Sequence, residues 1–219
     1  MSKNTLLDDP SVSKLVHFYT QGEYLFRQDT MGNTMFLILE GAVLLFHTQH
    51  NVERLVEIIG AGEVLGEKAI INEKPYRRTF TAQAKAAVVA IEFDIKSVKL
   101  IQSKIPDFAM KMVKMLSGRL DQSNHMVFIL QSTDPVDRVI KYLIHFSRHH
   151  SNKVPQGMDL SLTAAEIQHA VNLDGERVEI ILNELLDQKV LAFKRGAYTI
   201  VNEEALLDQA TSLRERTVA

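Results

Sequence analysis

Cysteine and tryptophan are both absent from the chain of 219 residues. Without cysteine the protein has no disulfide, no thiolate nucleophile, and no cysteine ligand for zinc or an iron–sulfur cluster. Long hydrophobic runs are missing as well, and the first residues, "MSKNTLLDDP", lack the apolar core of a secretory signal. We therefore expect a cytoplasmic protein with no membrane partner.

A large charge of either sign is also missing, because the formal net charge is only -2. Any binding of nucleic acid must therefore depend on a local basic patch. The hydrophobic fraction of 46% is that of an ordinary soluble globular protein with one large core or two modest ones. No nucleophile–base pair, metal-ligand spacing or Walker loop is present, so we expect neither an enzyme nor a metal protein.

Short apolar runs broken by glycine and asparagine fill residues 22–93. Examples are "MFLILEGAVLLFHT" (35–48), "RLVEIIG" (54–60) and "AAVVAIEF" (86–93). Such breaks are typical of tight turns between short strands. This part of the chain is predicted to form a β-sandwich or β-roll.

From residue 106 the apolar period changes to steps of three and four. The seam consists of Ala109, Val113, Leu116, Leu120, Ser123, Val127 and Leu130. This spacing predicts a long helix that pairs with its copy in a homodimer, through Val113, Leu116, Leu120, Val127 and Leu130. The alternative is that the stripe packs against its own chain.

A third pattern begins after residue 134. An amphipathic helix over 136–150 precedes two shorter helical segments, "LTAAEIQHAV" (162–171) and "GERVEIILNELLDQ" (175–188). Thr163 and Asp174 are placed to be their N-caps, and a β-hairpin is predicted around Gly196. Helix, turn, helix and hairpin in this order are typical of a winged helix.

Five motifs together resemble the cyclic-AMP receptor protein/FNR (CRP/FNR) family of bacterial transcription regulators. They are "GNTMFLILEGAV" (32–43), "GEVLGEKAI" (62–70), "RTFTAQA" (78–84), "RLDQSN" (119–124) and the helix-turn-helix at 162–182. The resemblance implies an α+β fold in three parts. Residues 1–105 would form a β-roll (double-stranded jelly-roll-like) cyclic-nucleotide-binding domain, 106–133 a dimerisation helix, and 134–219 a winged helix-turn-helix domain.

The same resemblance implies a site for a cyclic nucleotide, with cyclic AMP as the favoured effector and cyclic GMP or a cyclic dinucleotide left open. The residues that match are Gly66, Glu67, Lys68, Arg78 and Thr79, with Ser123 and Asn124 facing the base. An arginine fork and backbone N–H groups suit a phosphate, and a carboxylate accepts a hydrogen bond from the ribose 2′-hydroxyl. Ser123 has a second interpretation, because a polar seam residue also sets helix register.

Which arginine would hold the phosphate is open, because "EKPYRR" contains a small insertion relative to the family pattern. Counting forward from Gly66 favours Tyr76 or Arg77, whereas counting back from Ala84 favours Arg78. We prefer Arg78, since the family's strand pattern then continues after it. Phe80 stands where a small residue is common and is expected to narrow the pocket.

Two other interpretations of these residues compete with a nucleotide site. Glu67 and the arginines could form a surface salt-bridge cluster that contributes little stability. Haem is a further ligand class of the family, with His47, His50 and His125 among the candidate ligands, but none comes with a second diagnostic ligand.

DNA binding is expected from the winged helix but is weakened by its charge. The second helix, from Asp174, carries five acidic residues against the single base Arg177, and residues 134–219 have ten Lys/Arg and thirteen Asp/Glu, a net -3. Candidate contacts to DNA are Thr163, His169, Glu176, Arg177, Lys194 and Arg195. The sequence thus leaves two functions: a cyclic-nucleotide-responsive transcription regulator, and a cyclic-nucleotide sensor whose winged helix serves protein–protein signalling.

Overall fold

A computed structural model describes residues 10–71, 75–104, 107–155 and 157–209. The chain forms two compact units, residues 1–122 and 123–219, and one long helix contributes to both. The predicted boundary between residues 105 and 106 lies outside the described residues. The division into three domains therefore stays a prediction.

The N-terminal unit is built mainly from short strands. Its elements are α1 (Pro10–Ser13), β1 (Val16–Tyr19), β2 (Tyr24–Phe26), β3 (Met31–Gly32), β4 (Thr34–Glu40), β5 (Val43–Gln49), β6 (Val52–Ile59), β7 (Val64–Leu65), α2 (Lys68–Ile71), β8 (Tyr76–Arg77), β9 (Thr81–Ala84), β10 (Val88–Asp94), α3 (Ile95–Lys104) and the long helix α4 (Phe108–Leu130). The strands pair in two antiparallel four-stranded sheets, β1-β10-β4-β7 and β2-β9-β5-β6, with β3 and β8 as a separate pair.

Strand β4 explains why the apolar run in this unit shows no alternation. Phe36 and Ile38 pack into one core cluster, while Met35 and Leu37 on the opposite face of the strand pack into another. Because side chains alternate along a strand, a strand with a core on each face is apolar at every position. Helices α3 and α4 cover the second cluster, in which Phe108 at the start of α4 is buried.

Most of the seam of α4 faces outward in the single chain. Val113, Leu120, Val127 and Leu130 have between 40% and 61% of their surface exposed. Leu116 differs, since it is partly buried against the core of the N-terminal unit. Leu116 therefore packs on its own chain, as the alternative interpretation predicted. The other four side chains are not covered by any of the described residues.

Residues 203–209 of the C-terminal unit are helical, and before them the unit continues from α4 with three helices and four strands. They are α5 (Pro135–His150), β11 (Asn152–Val154), β12 (Gly157–Asp159), α6 (Ala164–Val171), α7 (Gly175–Asp187), β13 (Leu191–Lys194) and β14 (Ala197–Ile200), with the strands in the order β11-β12-β14-β13. Thr163 forms a capping box with Glu166, and Asp174 accepts from the amide of Arg177, which confirms both predicted N-caps.

The strand-rich N-terminal unit and the largely helical C-terminal unit confirm the predicted α+β class. Gly196 occupies the β13–β14 turn at φ 81°, a left-handed conformation that glycine adopts at little cost. Across the described ranges, no helix combines the length and the apolar character that crossing a bilayer requires.

Candidate functional site

A small pocket opens in the N-terminal unit beside helix α2. It has a volume of about 60 Å³ and is lined by Phe26, Leu45, Leu65, Gly66, Glu67, Lys68, Tyr76, Arg78, Thr79, Phe80 and Arg119. The five candidate ligand residues of this unit, Gly66, Glu67, Lys68, Arg78 and Thr79, all belong to this lining. We refer to this cavity as the Arg78 pocket.

Arg78 lies at the wall of the pocket with only 4% of its surface exposed. Its Nη2 donates to the backbone carbonyl of Thr34 at 2.6 Å, and its Nη1 donates to the carbonyl of Gly66 at 3.4 Å. The guanidinium also lies over the ring of Phe26, 4.3 Å from the centroid. These contacts hold the Arg78 side chain inside the roll. The sequence predicted a contact between Arg78 and a ligand, but it did not predict these contacts with the protein itself.

The Nε of Arg78 is buried and has no hydrogen-bond partner in the described part of the chain. Burial lowers the pKa of the guanidinium, although Glu92 and Glu67 act in the opposite direction. A buried cation with an unused donor is costly unless an acceptor or an anion completes its contacts. Of the residues that line this pocket, Arg78 therefore has the strongest chemical reason to bind an anion, because it is a buried cation with an unused donor.

Two glycines make room for this buried guanidinium. A Cβ atom on Gly32 would lie 2.3 Å from Nε of Arg78, and one on Gly66 would lie 2.5 Å from its Nη1. Gly66 also has φ 79°, a region that other residues rarely adopt. The glycines of the "GNT" and "GEK" motifs thus have a steric role in seating Arg78.

The neighbouring arginine behaves differently. The side chain of Arg77 is 70% exposed and lies 3.7 Å from an exposed carboxylate, that of Asp29. Such a pair matches the surface salt-bridge interpretation, which contributes little stability. Of the two arginines, only Arg78 lines the pocket. Phe80 lines it too, with its ring edge-to-face against His47 at 5.9 Å between centroids.

Arg119 is a pocket residue that sequence reasoning missed. From α4 its Nη2 contacts Glu57 on β6 at 2.7 Å, and its Nη1 lies 3.1 Å from the carbonyl of Val64 and 3.6 Å from Glu67. Burial lowers its pKa, but the carboxylates of Glu57 and Glu67 outweigh this and raise it. The position of Arg119 outside the apolar seam of α4 indicated that its side chain has polar neighbours. The structure identifies these neighbours as the carboxylates of Glu57 and Glu67.

The remaining candidate residues lie in the C-terminal unit. Ser123 and Asn124 are exposed residues of α4, so their predicted contact with a base stays a prediction. In α7, Glu176 and Arg177 are exposed in the first turn, and His169 is exposed near the end of α6.

The other candidate DNA contacts lie at an N-cap and in the hairpin turn. The hydroxyl of Thr163 accepts a hydrogen bond from the amide of Glu166, so this hydroxyl is already engaged in capping α6. Lys194 and Arg195 are exposed at the β13–β14 turn. The described residues contain no group of three or more His, Asp or Glu placed to hold a metal ion. The haem interpretation stays open, because haem iron needs only one or two protein ligands.

Comparisons with known proteins identify a related domain and related full-length chains. Residues 16–101 match the model of the cyclic nucleotide-binding domain family. The cAMP-activated global transcriptional regulator CRP of Salmonella typhimurium is 25% identical over 179 residues, which cover 81% of this chain and 85% of that protein.

Two solved structures share the fold. A CRP-family transcriptional regulator from Thermus thermophilus superposes with a TM-score of 0.75 at 18% identity, covering 89% of this chain and 96% of that one. The c-di-GMP-responsive global regulator CLP of Xanthomonas campestris gives 0.69 at 20% identity, covering 85% and 93%.

The roll, the long helix and the helical C-terminal unit share the fold of these regulators, and the roll matches a cyclic nucleotide-binding domain. The resemblance to the CRP/FNR regulators that the sequence motifs indicated is thus confirmed by the matched domain, the curated relatives and the structural neighbours.

Proposed function

We propose that this protein is a dimeric transcription regulator that responds to a cyclic nucleotide, with cyclic AMP as the effector. The observation that carries the proposal is Arg78, a nearly fully buried cation with an unused Nε donor in the wall of a pocket. It lies within the residues that match the cyclic nucleotide-binding domain. The relative CRP, whose name describes it as cAMP-activated, favours cyclic AMP.

The chemistry of the lining suits a cyclic phosphate attached to a ribose. Arg78 and the hydroxyl of Thr79 would bind the phosphate, and Glu67 would accept from the 2′-hydroxyl. Lys68, Arg78 and Arg119 outnumber the single lining carboxylate, Glu67. Since Arg119 is paired with Glu57, the charge left over is a modest positive surplus, which matches one phosphodiester anion.

The size of the pocket adds a condition to this proposal. A volume of about 60 Å³ is well below the roughly 300–1,000 Å³ of typical small-molecule sites. A nucleotide would therefore have to move side chains, with Phe80 and Arg119 as the mobile walls. Arg78 would at the same time exchange part of its contact with the Thr34 carbonyl for the phosphate.

Arg119 links such a movement to the long helix. It belongs to α4 and lies 3.6 Å from Glu67, so a ribose that engages Glu67 would change the contacts of a helix residue. The exposed seam of α4 supports pairing with a second copy, and Ser123 and Asn124 would complete the base site. Ligand would then favour one arrangement of the paired helices and reorient the C-terminal units.

Calorimetric titration with cyclic AMP and cyclic GMP tests the proposal. Arg78→Ala should weaken binding of the effector by about 1.5–3 kcal/mol, roughly 10- to 150-fold, because a charge-assisted contact is lost. Arg77→Ala is the matched control, since it removes the neighbouring exposed arginine, and it should bind like the wild type. Equal affinity of the wild type and Arg78→Ala, or no heat with either nucleotide, would contradict the proposal.

One observation favours a second function, in which the C-terminal unit binds protein instead of DNA. On α7 the acidic residues Glu176, Glu179, Glu184 and Asp187 are all exposed, and Arg177 is the one exposed base among its described residues. DNA binding depends on cations that replace counterions at phosphates. Failure to retain mixed genomic DNA at low salt, with effector present, would favour this alternative.

A further inference from the structure

Three histidine rings lie next to one another in the C-terminal unit, where the end of α4 meets α5, and the first pair is stacked while the second is tilted by 53°. The ring of His125 on α4 lies 4.9 Å from that of His145 on α5, at an interplanar angle of 19°. The ring of His149, one turn further along α5, lies 4.8 Å from His145. We call His125, His145 and His149 the imidazole stack. His150 extends it, 6.2 Å from His149 and 5.0 Å from Phe146.

The centre of the stack is removed from water, and its neighbours are other imidazoles and one guanidinium. His145 is 8% exposed, and its pKa is lowered to about 4 by burial and then by His149, His125, His150 and Arg148. The pKa of His150 is lowered to about 4 as well, by burial and by His149. Burial, His125 and Arg148 lower the pKa of His149.

The acidic residues near α5 interact with groups other than His145. Arg148, which acts on the stack, lies 3.6 Å from Glu203 beyond β14. Asp137, two turns before His145, pairs with Lys141 and accepts from Ser132. Glu166 on α6 acts on Tyr142. The groups that act on His145 itself are imidazoles and one guanidinium.

We propose that the contact between the end of α4 and α5 is a proton-sensitive joint, in which neutral imidazoles hold the two helices together and protonation separates them. The geometry carries the proposal, because rings 4.8–4.9 Å apart cannot all become cations without strong repulsion at close range. Because α5 leads from the long helix into the unit that holds α6 and α7, opening this joint would loosen that connection. The inference does not depend on the nucleotide site.

The pH range follows from the direction of the shifts. The pKa of His145 is lower in the stacked state than the ordinary value of 6.5, so the neutral stack is fully favoured above pH 6.5. As the pH falls below 6.5, the separated state gains protons that the stacked state does not hold. Each such histidine should raise the ratio of separated to stacked molecules about tenfold per pH unit, until the pH approaches 4.

Hydrogen exchange read by mass spectrometry, between pH 7.5 and 5 and corrected for the intrinsic pH dependence of exchange, tests this joint. In the wild type, protection of residues 139–147 should fall at least about fivefold from pH 6.5 to 5.5, while strand β10 keeps its protection. His145→Phe keeps an aromatic ring without a titratable nitrogen and should flatten this response. His169→Gln removes an exposed histidine of the same unit and should respond like the wild type.

Identical pH profiles for the wild type and His145→Phe would overturn the proposal, as would a wild type whose α5 stays protected down to pH 5. If His145→Phe does not fold, the titration of His145 in the wild type decides the matter. Nuclear magnetic resonance of labelled histidine should show His145 titrating well below the other imidazoles. Titration of His145 near 6.5 with no change at α5 would refute the joint.

Discussion

Arg119 on α4 and Glu57 on β6 form a salt bridge of 2.7 Å, with only 17% and 27% of their side chains exposed. The same guanidinium contacts the carbonyl of Val64 and lies 3.6 Å from Glu67 in the Arg78 pocket. One side chain of the long helix thus reaches the edge strand of one sheet, a strand of the other, and a candidate ligand residue. This makes Arg119 the closest connection between the pocket and α4 among the described residues.

We expect Arg119→Ala to destabilise the N-terminal unit by about 1.5–3 kcal/mol. The change removes charge-assisted hydrogen bonds and leaves the half-buried carboxylates of Glu57 and Glu67 without their cation. Urea-induced unfolding followed by circular dichroism measures the effect. Arg77→Ala removes an exposed pair and should stay within about 0.5 kcal/mol of the wild type. Equal stability of the two variants would show that the Arg119 contacts contribute no net stability.

Gly66→Ala should damage the pocket more than Gly62→Ala. Both glycines have positive φ, 79° and 92°, so both substitutions carry a backbone cost of about 1–2 kcal/mol. A Cβ at Gly62 would meet nothing within 4 Å, whereas one at Gly66 would lie 2.5 Å from Nη1 of Arg78. Only Gly66→Ala should therefore also weaken binding of the cyclic nucleotide in calorimetry. If both variants bind it equally well, Arg78 does not need its present position for binding.

The fold was largely predictable from local patterns, because turns, caps and apolar periods are local properties. Thr163 and Asp174 could be assigned as N-caps since each stands directly before an amphipathic run. Gly196 marked the hairpin for the same reason. The continuous apolar run of β4 indicated a strand but not two cores, because a core on the second face depends on helices that are distant in sequence.

The candidate site was predictable only in part. Motifs identified Gly66, Glu67 and Arg78, which line one pocket. They did not predict that Arg78 donates to the Thr34 carbonyl, or that Arg119 reaches Glu67 from a helix 52 positions away in sequence. The contact of His125 with His145 was missed as well. It joins two consecutive helices, and the angle between two helices cannot be derived from the apolar period of either one.

Substitution of Leu120 tests the seam of α4. Leu120 is 61% exposed in the single chain, and a charge there would have to be buried if two copies pair along the seam. Leu120→Asp should raise the dissociation constant of the dimer at least about a hundredfold, roughly 2.7 kcal/mol. Sedimentation equilibrium measures it. Leu100→Asp, at a 48% exposed leucine of α3 outside the seam, should leave the dimer intact, and an unchanged constant for Leu120→Asp would contradict pairing through this face.

The last prediction concerns the charge of the C-terminal unit. If the unit binds DNA through the exposed bases of α7 and the β13–β14 turn, each phosphate contact contributes about 0.9 to the slope of log affinity against log salt. Arg177→Ala and Arg195→Ala should then each reduce this slope by close to one, measured by fluorescence anisotropy on DNA with effector present. Lys153→Ala removes an exposed base on β11 and should leave the slope unchanged. A wild type with a slope near zero would mean that no phosphate is neutralised. The four acidic residues on the exposed face of α7 would then identify the C-terminal unit as a surface for a basic protein partner.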